Sequence, residues 1–245
     1  MYKFSLILFA TIFFSTLNAQ NGLIKYKLNY KNATKAKYYN MLFDNSTSFY
    51  EQNIDSLPKK ATSQIDLPIS KESEIVYKNY KTKKLIFKER IALDFYTVND
   101  TIIKINWEVL PDTKRIGNYL CQKATGKFRG VNYTAWFTSE IAIPFGPWKI
   151  GGLSGLILEL SIEDERLHII AYEIDIKNYS NISLKEKIQK FETLEKIELK
   201  KYIELKNSED KQLDKYYESL FERGTYFGME SSNPLILEIF DKKEK

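Results

Sequence analysis

A chain of 245 residues with 43% hydrophobic residues is long enough to form one large domain around a substantial core. Its 37 lysines and arginines are interspersed with 32 aspartates and glutamates, a pattern typical of a solvated surface and not of a nucleic-acid interface, although the net charge is +5. The single cysteine, Cys121, excludes an intramolecular disulfide. It is expected to be a small buried side chain, with a reactive or intermolecular thiol as the alternative.

Residues 1–19 have the pattern of an export signal. Lys3 supplies a positive charge, residues 4–14 form an apolar run too short to span a bilayer, and Ala19 is a small residue at the expected cleavage site. No later segment is apolar enough for a transmembrane helix. We therefore expect an exported protein that is cleaved before Gln20 and is located in the periplasm, at the outer membrane or outside the cell.

Alternation of apolar and polar residues predicts a long series of short strands. Strands are expected at 24–30, 38–43, 47–51, 75–78, 85–88, 93–98, 102–108, 119–128, 133–137, 156–162 and 168–176, with a long loop at 52–73. On the last strand His168, Ile170 and Tyr172 are expected to share an apolar face. Neighbouring strands at such short spacing indicate an antiparallel meander and not βαβ units.

A cluster of lysines marks one of the predicted hairpin turns. It comprises Lys78, Lys81, Lys83 and Lys84. Lysines at a sheet edge discourage association between sheets, so we interpret these four as solvated residues of a hairpin tip. Contact with an anionic envelope surface is the alternative.

The hydrophobic pattern changes to a helical one near residue 184, with helix expected at about 198–223. Residues 20–182 are predicted to form the β domain and residues 183–245 a C-terminal segment packed on it. The fold class is mainly β (α+β): a curved antiparallel sheet or half-barrel of roughly nine to eleven strands with C-terminal helices. The apolar stripe of the helical segment is expected to dock on the sheet, with a partner's landing site as the alternative.

Residues 144–158 contain four of the chain's ten glycines and two of its six prolines. Proline fixes φ, whereas glycine permits positive φ and close approach of another backbone. We therefore predict a tight, irregular corner between two strands. Its structural residues are expected to be Pro144, Gly146, Pro147, Gly151, Gly152, Gly155, Leu156 and Ile157.

Within this corner, Gly152-Leu153-Ser154-Gly155-Leu156-Ile157 differs at one position from the sextet that gives the GLPGLI family its name. Similar segments are Tyr119-x-Cys121-x-Lys123-Ala124, Ala135-Trp136-Phe137-Thr138, residues 141–144 and Gly146-Pro147-Trp148. From about Tyr119 to Leu160 the chain resembles this family of exported proteins of Bacteroidota-type bacteria. The resemblance implies export and a β-rich fold, and it implies no assigned activity. Ser154 stands where the family pattern has proline, which loosens the turn.

Motifs for catalysis or cofactor binding are weak in this sequence. Ser154 resembles the nucleophile of a hydrolase elbow, but the motif lacks its last glycine, and the single histidine, His168, is expected to be buried or at the edge of the sheet. One histidine and one cysteine cannot form a zinc site, and the acids at 163–165 are typical of a solvated turn. The glycines are not followed by the lysine and hydroxyl of a P-loop. We therefore assign no catalytic residue, metal or cofactor.

Trp148, with Pro147 and Trp136, is the candidate binding residue, because large aromatic side chains form rigid recognition surfaces. The favoured hypothesis is an exported cell-envelope protein without catalysis that binds a lipid, another apolar ligand or a protein partner. The alternative is an accessory module of an outer-membrane transport receptor system, which would bind through strand edges or through the surface of the glycine-proline corner. A hydrolase is the third and least favoured hypothesis.

Overall fold

The computed structural model describes residues 21–31, 33–53, 73–91, 94–162, 166–176, 181–209 and 238. The predicted export signal, most of the predicted loop and the acidic turn at 163–165 lie outside these residues, as do the residues after 209 of the predicted helical stretch. Among the helices in these ranges, none combines the length and the apolar character that crossing a bilayer requires.

Twelve strands and two helical segments are present in the described ranges. The strands are β1 (Gly22–Tyr30), β2 (Lys37–Phe43), β3 (Thr47–Gln52), β4 (Ile75–Asn79), β5 (Lys84–Ile91), β6 (Asp94–Thr101), β7 (Glu108–Ile116), β8 (Tyr119–Phe128), β9 (Val131–Thr138), β10 (Leu156–Ile162), β11 (Leu167–Asp175) and β12 (Ile197–Glu198). Helix α1 spans Asn181–Glu192, and residues 199–209 form a second helical segment, α2.

All twelve strands belong to one sheet, in the order β12-β6-β5-β4-β3-β2-β1-β11-β10-β9-β8-β7. Two antiparallel meanders, β1 to β6 and β7 to β11, are joined where β1 pairs with β11. The short β12 adds to β6 in parallel at one edge, and β7 forms the other edge. The predicted fold class, a curved antiparallel sheet with C-terminal helices, is confirmed, with one strand more than expected.

The sheet has an inner face, which carries most of the core, and an outer face. In β1 the side chains of Ile24, Tyr26 and Leu28 are buried on the inner face, while Lys25 and Lys27 alternate with them. Alternation with period two is the pattern expected of a strand with one dry face. The sequence of β1 therefore already indicates which of its side chains belong to the inner face.

The two helical segments lie on opposite faces of the sheet. Tyr202 of α2 packs edge-on against Phe87 of the inner face, with ring centroids 5.0 Å apart. Phe191 of α1 packs edge-on against Phe49 of the outer face at 5.6 Å, in a small separate core that also holds Ile86. Because Ile86 and Phe87 are adjacent in β5, their side chains point to opposite faces. Helix α1 was not among the predicted elements.

The strand predicted at 102–108 is wrong, because residues 102–107 have no regular structure and the strand is β7. Ile105 and Trp107 instead pack over Gly126, where even a methyl group would collide with both side chains. Pro111 argues against a strand at this position, because proline lacks the backbone N–H that a central strand donates to its neighbour. It is tolerated here because β7 is an edge strand whose register shifts between Val109 and Thr113.

The glycine-proline segment connects β9 to β10 as an irregular corner. Phe145 pairs with Gly151 in an isolated bridge, and the Gly152 amide donates to the Pro144 carbonyl at 2.9 Å. Gly155 lies so close to β9 that an added Cβ would collide with the Thr138 carbonyl group. The corner thus depends on close backbone approach at its glycines.

Lys78 of β4 holds this corner from the opposite meander. Its side chain is fully buried, and Nζ donates to the carbonyl oxygens of Gly146 at 2.7 Å and Ile150 at 2.8 Å. Burial lowers the pKa of Lys78 to about 7. The interpretation of Lys78 as a solvated lysine of a hairpin tip is therefore wrong. Its alternation with Tyr77 places it on the inner face, where a charged residue was not expected.

Substitution of Gly155 by alanine is expected to lower the free energy of unfolding by about 3 kcal/mol, because the new methyl group overlaps the Thr138 carbonyl. Gly117→Ala is the matched control: Gly117 has φ +57° with open space around it, so only the left-handed conformation costs about 1 kcal/mol. Urea unfolding of both variants measures the difference. Equal losses would show that close packing at Gly155 is unimportant.

Substitution of Lys78 by methionine is expected to remove about 2 kcal/mol or more, because two buried carbonyl groups lose their donor. The loss should grow with pH. Below pH 7 Lys78 is protonated whether folded or unfolded, whereas between about 7 and 10.5 only the unfolded chain keeps this proton. Wild-type stability therefore gains up to about 1.4 kcal/mol per pH unit from this group in that window.

The measurement is urea unfolding of wild type and Lys78→Met between pH 6 and pH 10. Other groups titrate in both proteins, so the difference between the two curves isolates Lys78. Parallel curves over this range would contradict the assigned environment.

Candidate functional site

Charged side chains are concentrated at two places on opposite faces of the sheet. The first, which we call the inner charge cluster, consists of Glu89, Asp100, Arg129, Lys149 and Glu238. These residues come from β5, β6, the β8–β9 turn, the corner and the C-terminal part of the chain. Such a concentration of buried charge requires close pairing, because isolated ions are strongly disfavoured in a protein interior.

Arg129 and Asp100 form the most buried pair of the inner charge cluster. One guanidinium nitrogen of Arg129 donates to both carboxylate oxygens of Asp100, at 2.9 and 2.8 Å. The two side chains are only 1% and 2% exposed. Burial would lower the pKa of Arg129, but Glu238 and Asp100 outweigh it, so the guanidinium is fully charged.

Lys149 and Glu89 form the second pair, with 3.0 Å between Nζ and Oε1. Glu89 also accepts hydrogen bonds from Trp148 Nε1 at 3.1 Å and from the Tyr202 hydroxyl at 2.7 Å. Burial would raise the pKa of the Glu89 carboxyl, but Lys149 and these donors hold it below its ordinary value. Lys149 lies 3.5 Å from the Phe87 ring centroid, a favourable position for a desolvated cation.

The backbone is strained on both sides of the inner charge cluster. Arg129 has φ 42° and Trp148 has φ 53°, in the left-handed region that bulky residues rarely adopt. The Trp148 ring is held in this position by edge-on packing against Phe128 at 5.9 Å and by Tyr133 at 6.4 Å. Strain of this kind persists only where the surroundings over-determine it.

The predicted binding residues are not brought together. Trp148 and the buried Pro147 belong to the inner face, where Trp148 contacts the charge cluster. Trp136 alternates with the inward-facing Ala135 and Phe137, so it lies on the outer face. There the ammonium group of Lys114 lies 4.3 Å from its ring centroid.

The second place is a cleft on the outer face, between the β7–β8 hairpin and strands β10 and β11. This outer cleft has a volume of about 610 Å³. Its polar and aromatic lining includes Lys114, Arg115, Asn118, Tyr119, Glu159 and Tyr172. Helix α1 covers the outer face of the other meander, and no described element covers this cleft.

Glu159 is the central polar residue of the outer cleft. Lys114 Nζ lies 2.6 Å from one of its carboxylate oxygens and His168 Nε2 lies 3.2 Å from the other. Burial would raise the pKa of Glu159, but hydrogen bonds from His168 and Lys114 hold it below its ordinary value. Glu159 is therefore an ionised acceptor at neutral pH, with a histidine oriented beside it, an arrangement that can hold hydroxyl or amide groups or transfer a proton.

The prediction of a buried or edge-strand His168 is wrong, because β11 lies between β1 and β10 and the side chain is partly exposed. Leu167, Ile169 and Ala171 face the core, so His168 and Ile170 lie on the outer face, and the His168 side chain is 33% exposed. The expected apolar face was assigned wrongly because both faces of β11 carry apolar residues. His168 pairs with Ser161 in β10, whereas Ser154 precedes that strand in the corner, so the disfavoured hypothesis of a Ser154–His168 catalytic pair finds no support in the register.

Sequence reasoning missed Lys114 and Glu159, although Glu159 left a signal. It is the one charged residue in the otherwise apolar run from Leu156 to Leu160. A lone acid in a buried strand needs a partner, but the partner lies 45 positions away and cannot be identified from spacing.

Cys121 is buried as expected, and burial raises the pKa of its thiol to about 11. Within the described ranges no group of three acidic, histidine or cysteine side chains is placed to hold a metal.

Comparison with known proteins identifies a family for most of the chain. The family described as "N-glycanase peptide, N-terminal domain" matches residues 28–201. Two solved structures of PNGF-II, in space groups C2 and P21, resemble the fold with TM-scores of 0.54 and 0.55 at 16% and 17% sequence identity. Both alignments cover 78% of this chain, but only 33% and 34% of the PNGF-II chains, so this chain spans about a third of their length. No curated protein matches it.

These findings overturn two expectations from the sequence. Membership of the GLPGLI family is wrong, because the matching family and the solved neighbours are those of an N-glycanase. The same match conflicts with the hypothesis of a non-catalytic envelope protein that binds an apolar ligand or a protein partner. It also conflicts with the hypothesis of a receptor accessory module. An N-glycanase is a hydrolase, the class that the sequence analysis ranked last.

Asp100→Asn is expected to lower the free energy of unfolding by about 3 kcal/mol, because one buried guanidinium nitrogen of Arg129 loses the carboxylate that accepts both of its contacts, and Glu238 binds only the other nitrogen. The control is Glu173→Gln, which breaks an exposed pair with Lys25 and should change stability by about 0.5 kcal/mol or less. Urea unfolding at neutral pH measures both. A loss at Asp100 no larger than at Glu173 would show that the inner charge cluster is solvated.

Proposed function

We propose, from the premise that this chain belongs to the family of N-glycanase N-terminal domains, that it takes part in hydrolysing the amide bond between N-linked glycans and asparagine. The match over residues 28–201 carries this proposal. The chain spans about a third of the related PNGF-II structures, so we infer its part in this reaction from the geometry of its own residues. We propose that it engages the glycan of the substrate in the outer cleft.

The inner face offers little room for a ligand. Lys78, Phe87, Phe145 and Lys149 are buried there, and α2 packs over Phe87 and Lys149 through Tyr202. A ligand on this face would have to displace α2 or the corner. The outer cleft needs no such rearrangement among the described residues, because none of them fills it.

The lining of the outer cleft suits a carbohydrate. Sugar hydroxyls form hydrogen bonds with ionised side chains, which the cleft supplies as Lys114, Arg115 and Glu159. The apolar faces of sugar rings pack on aromatic side chains, and Tyr119 and Tyr172 supply these. His168 fixes one oxygen of Glu159 from the side, so the carboxylate is oriented before a ligand arrives.

The lipid ligand and outer-membrane transport partner expected from the sequence are replaced in this proposal by an N-glycoprotein. Export remains part of the proposal. The signal pattern at residues 1–19 supports a site of action outside the cytoplasm, where glycoproteins are exposed to an extracellular hydrolase.

The test uses the full chain and a glycopeptide that carries one N-glycan, with the same peptide lacking the glycan as control ligand. Calorimetry should show binding of the glycopeptide and no binding of the bare peptide. Glu159→Gln should weaken that binding about 10-fold, since it removes a charge-assisted acceptor. Glu173→Gln, an exposed glutamate of β11, should leave it unchanged.

Mass spectrometry of the peptide after incubation tests the reaction itself, because amide hydrolysis converts the linked asparagine to aspartate. Conversion by this chain alone would place the reacting groups within it. Binding without conversion would place them in a further domain, as the length of PNGF-II allows. Equal affinity for both peptides, or an unchanged affinity in Glu159→Gln, would contradict the assignment of the outer cleft.

A further inference from the structure

Among the described residues, the inner charge cluster contains one carboxylate more than its cations require. Arg129 is already paired with Asp100, and Lys149 is already paired with Glu89. Glu238 is the third acid, so in the described part of the chain two cations face three carboxylates. Without Glu238 the cluster would be balanced in charge and both cations would still have a partner.

Glu238 is positioned as a bound ligand would be. One of its carboxylate oxygens lies 2.7 Å from an Arg129 guanidinium nitrogen and the other lies 2.8 Å from Lys149 Nζ. The side chain is only 6% exposed. Each oxygen therefore has its own cationic donor in a dry environment, where charge-assisted hydrogen bonds are strongest.

The two donors are held in place independently of Glu238. Hydrogen bonds from one guanidinium nitrogen to both Asp100 oxygens fix Arg129. Contacts with Glu89 and the Phe87 ring fix Lys149. Both donors lie at strained backbone, Arg129 itself and Trp148 next to Lys149, and a rigid framework reduces the ordering that binding would otherwise require.

We propose that Arg129 and Lys149 form a carboxylate-binding site on the inner face, which Glu238 of the same chain fills as a built-in ligand. An external carboxylate of small size can take its place when the glutamate side chain is absent. This inference is independent of the proposed function, because it concerns the opposite face from the outer cleft.

The test is chemical rescue in the full chain. Glu238→Ala removes the carboxylate and should lower the melting temperature by roughly 5–10 °C. Formate and acetate should restore part of this loss along a saturable curve, whereas chloride at equal ionic strength should not. Wild type, whose site is filled, should show no saturable response to either carboxylate.

Two further variants keep the result interpretable. Glu238→Gln retains the shape of the side chain without its charge, and should be destabilised but not rescued, because the amide still occupies the space. Glu192→Ala breaks the part-exposed pair with Lys84, and should show a small loss without rescue. Equal effects of chloride and formate on Glu238→Ala, or a saturable response of wild type equal to that of the variant, would overturn the proposal.

Discussion

The hydrogen bonds from Lys78 to the corner are the constraint on which the rest of the structure depends. They join β4 of the first meander to the segment between β9 and β10 of the second, at a distance from the β1–β11 pairing that links the meanders in the sheet. A buried amine donating to the carbonyls of Gly146 and Ile150 leaves few alternative paths for the intervening backbone. The position of Trp148 and Lys149, which lie between those two carbonyls, follows from it.

With the corner fixed in this way, the two faces of the sheet differ in how they are covered. The inner face is filled by aromatic side chains, α2 and a charge cluster in which cations and carboxylates are closely paired. On the outer face α1 covers one meander, and the described residues leave the outer cleft uncovered on the other. Within this part of the chain the sheet is therefore filled on its inner side and carries a cleft on its outer side.

Where neighbouring residues alternate cleanly, sequence reasoning was sufficient, as in β1 and in the hairpins around it. It failed where burial depends on distant partners. Lys78 looks like a surface residue until the carbonyls that it binds are known, and His168 lies on a strand with two apolar faces. The pairs Lys114–Glu159 and Arg129–Glu238 join positions 45 and 109 apart, which no local pattern reveals.

The glycine-proline corner shows a different limit. Its composition correctly indicated an irregular, close-packed connection, because glycine and proline restrict the backbone in known ways. The same residues suggested the GLPGLI family, whereas the match over residues 28–201 is to an N-glycanase domain. A motif that fixes a backbone path describes a fold, and function has to be argued from the side chains around a site.

The central claim is that a glycan-bearing substrate is engaged on the outer face while the inner face stays closed. Hydrogen–deuterium exchange of the full chain, with and without the glycopeptide, tests it most directly. The account predicts slower exchange at residues 114–119 and 168–174 and no change at residues 145–150 or 199–205. Protection confined to the corner and α2, with the outer cleft unchanged, would contradict it.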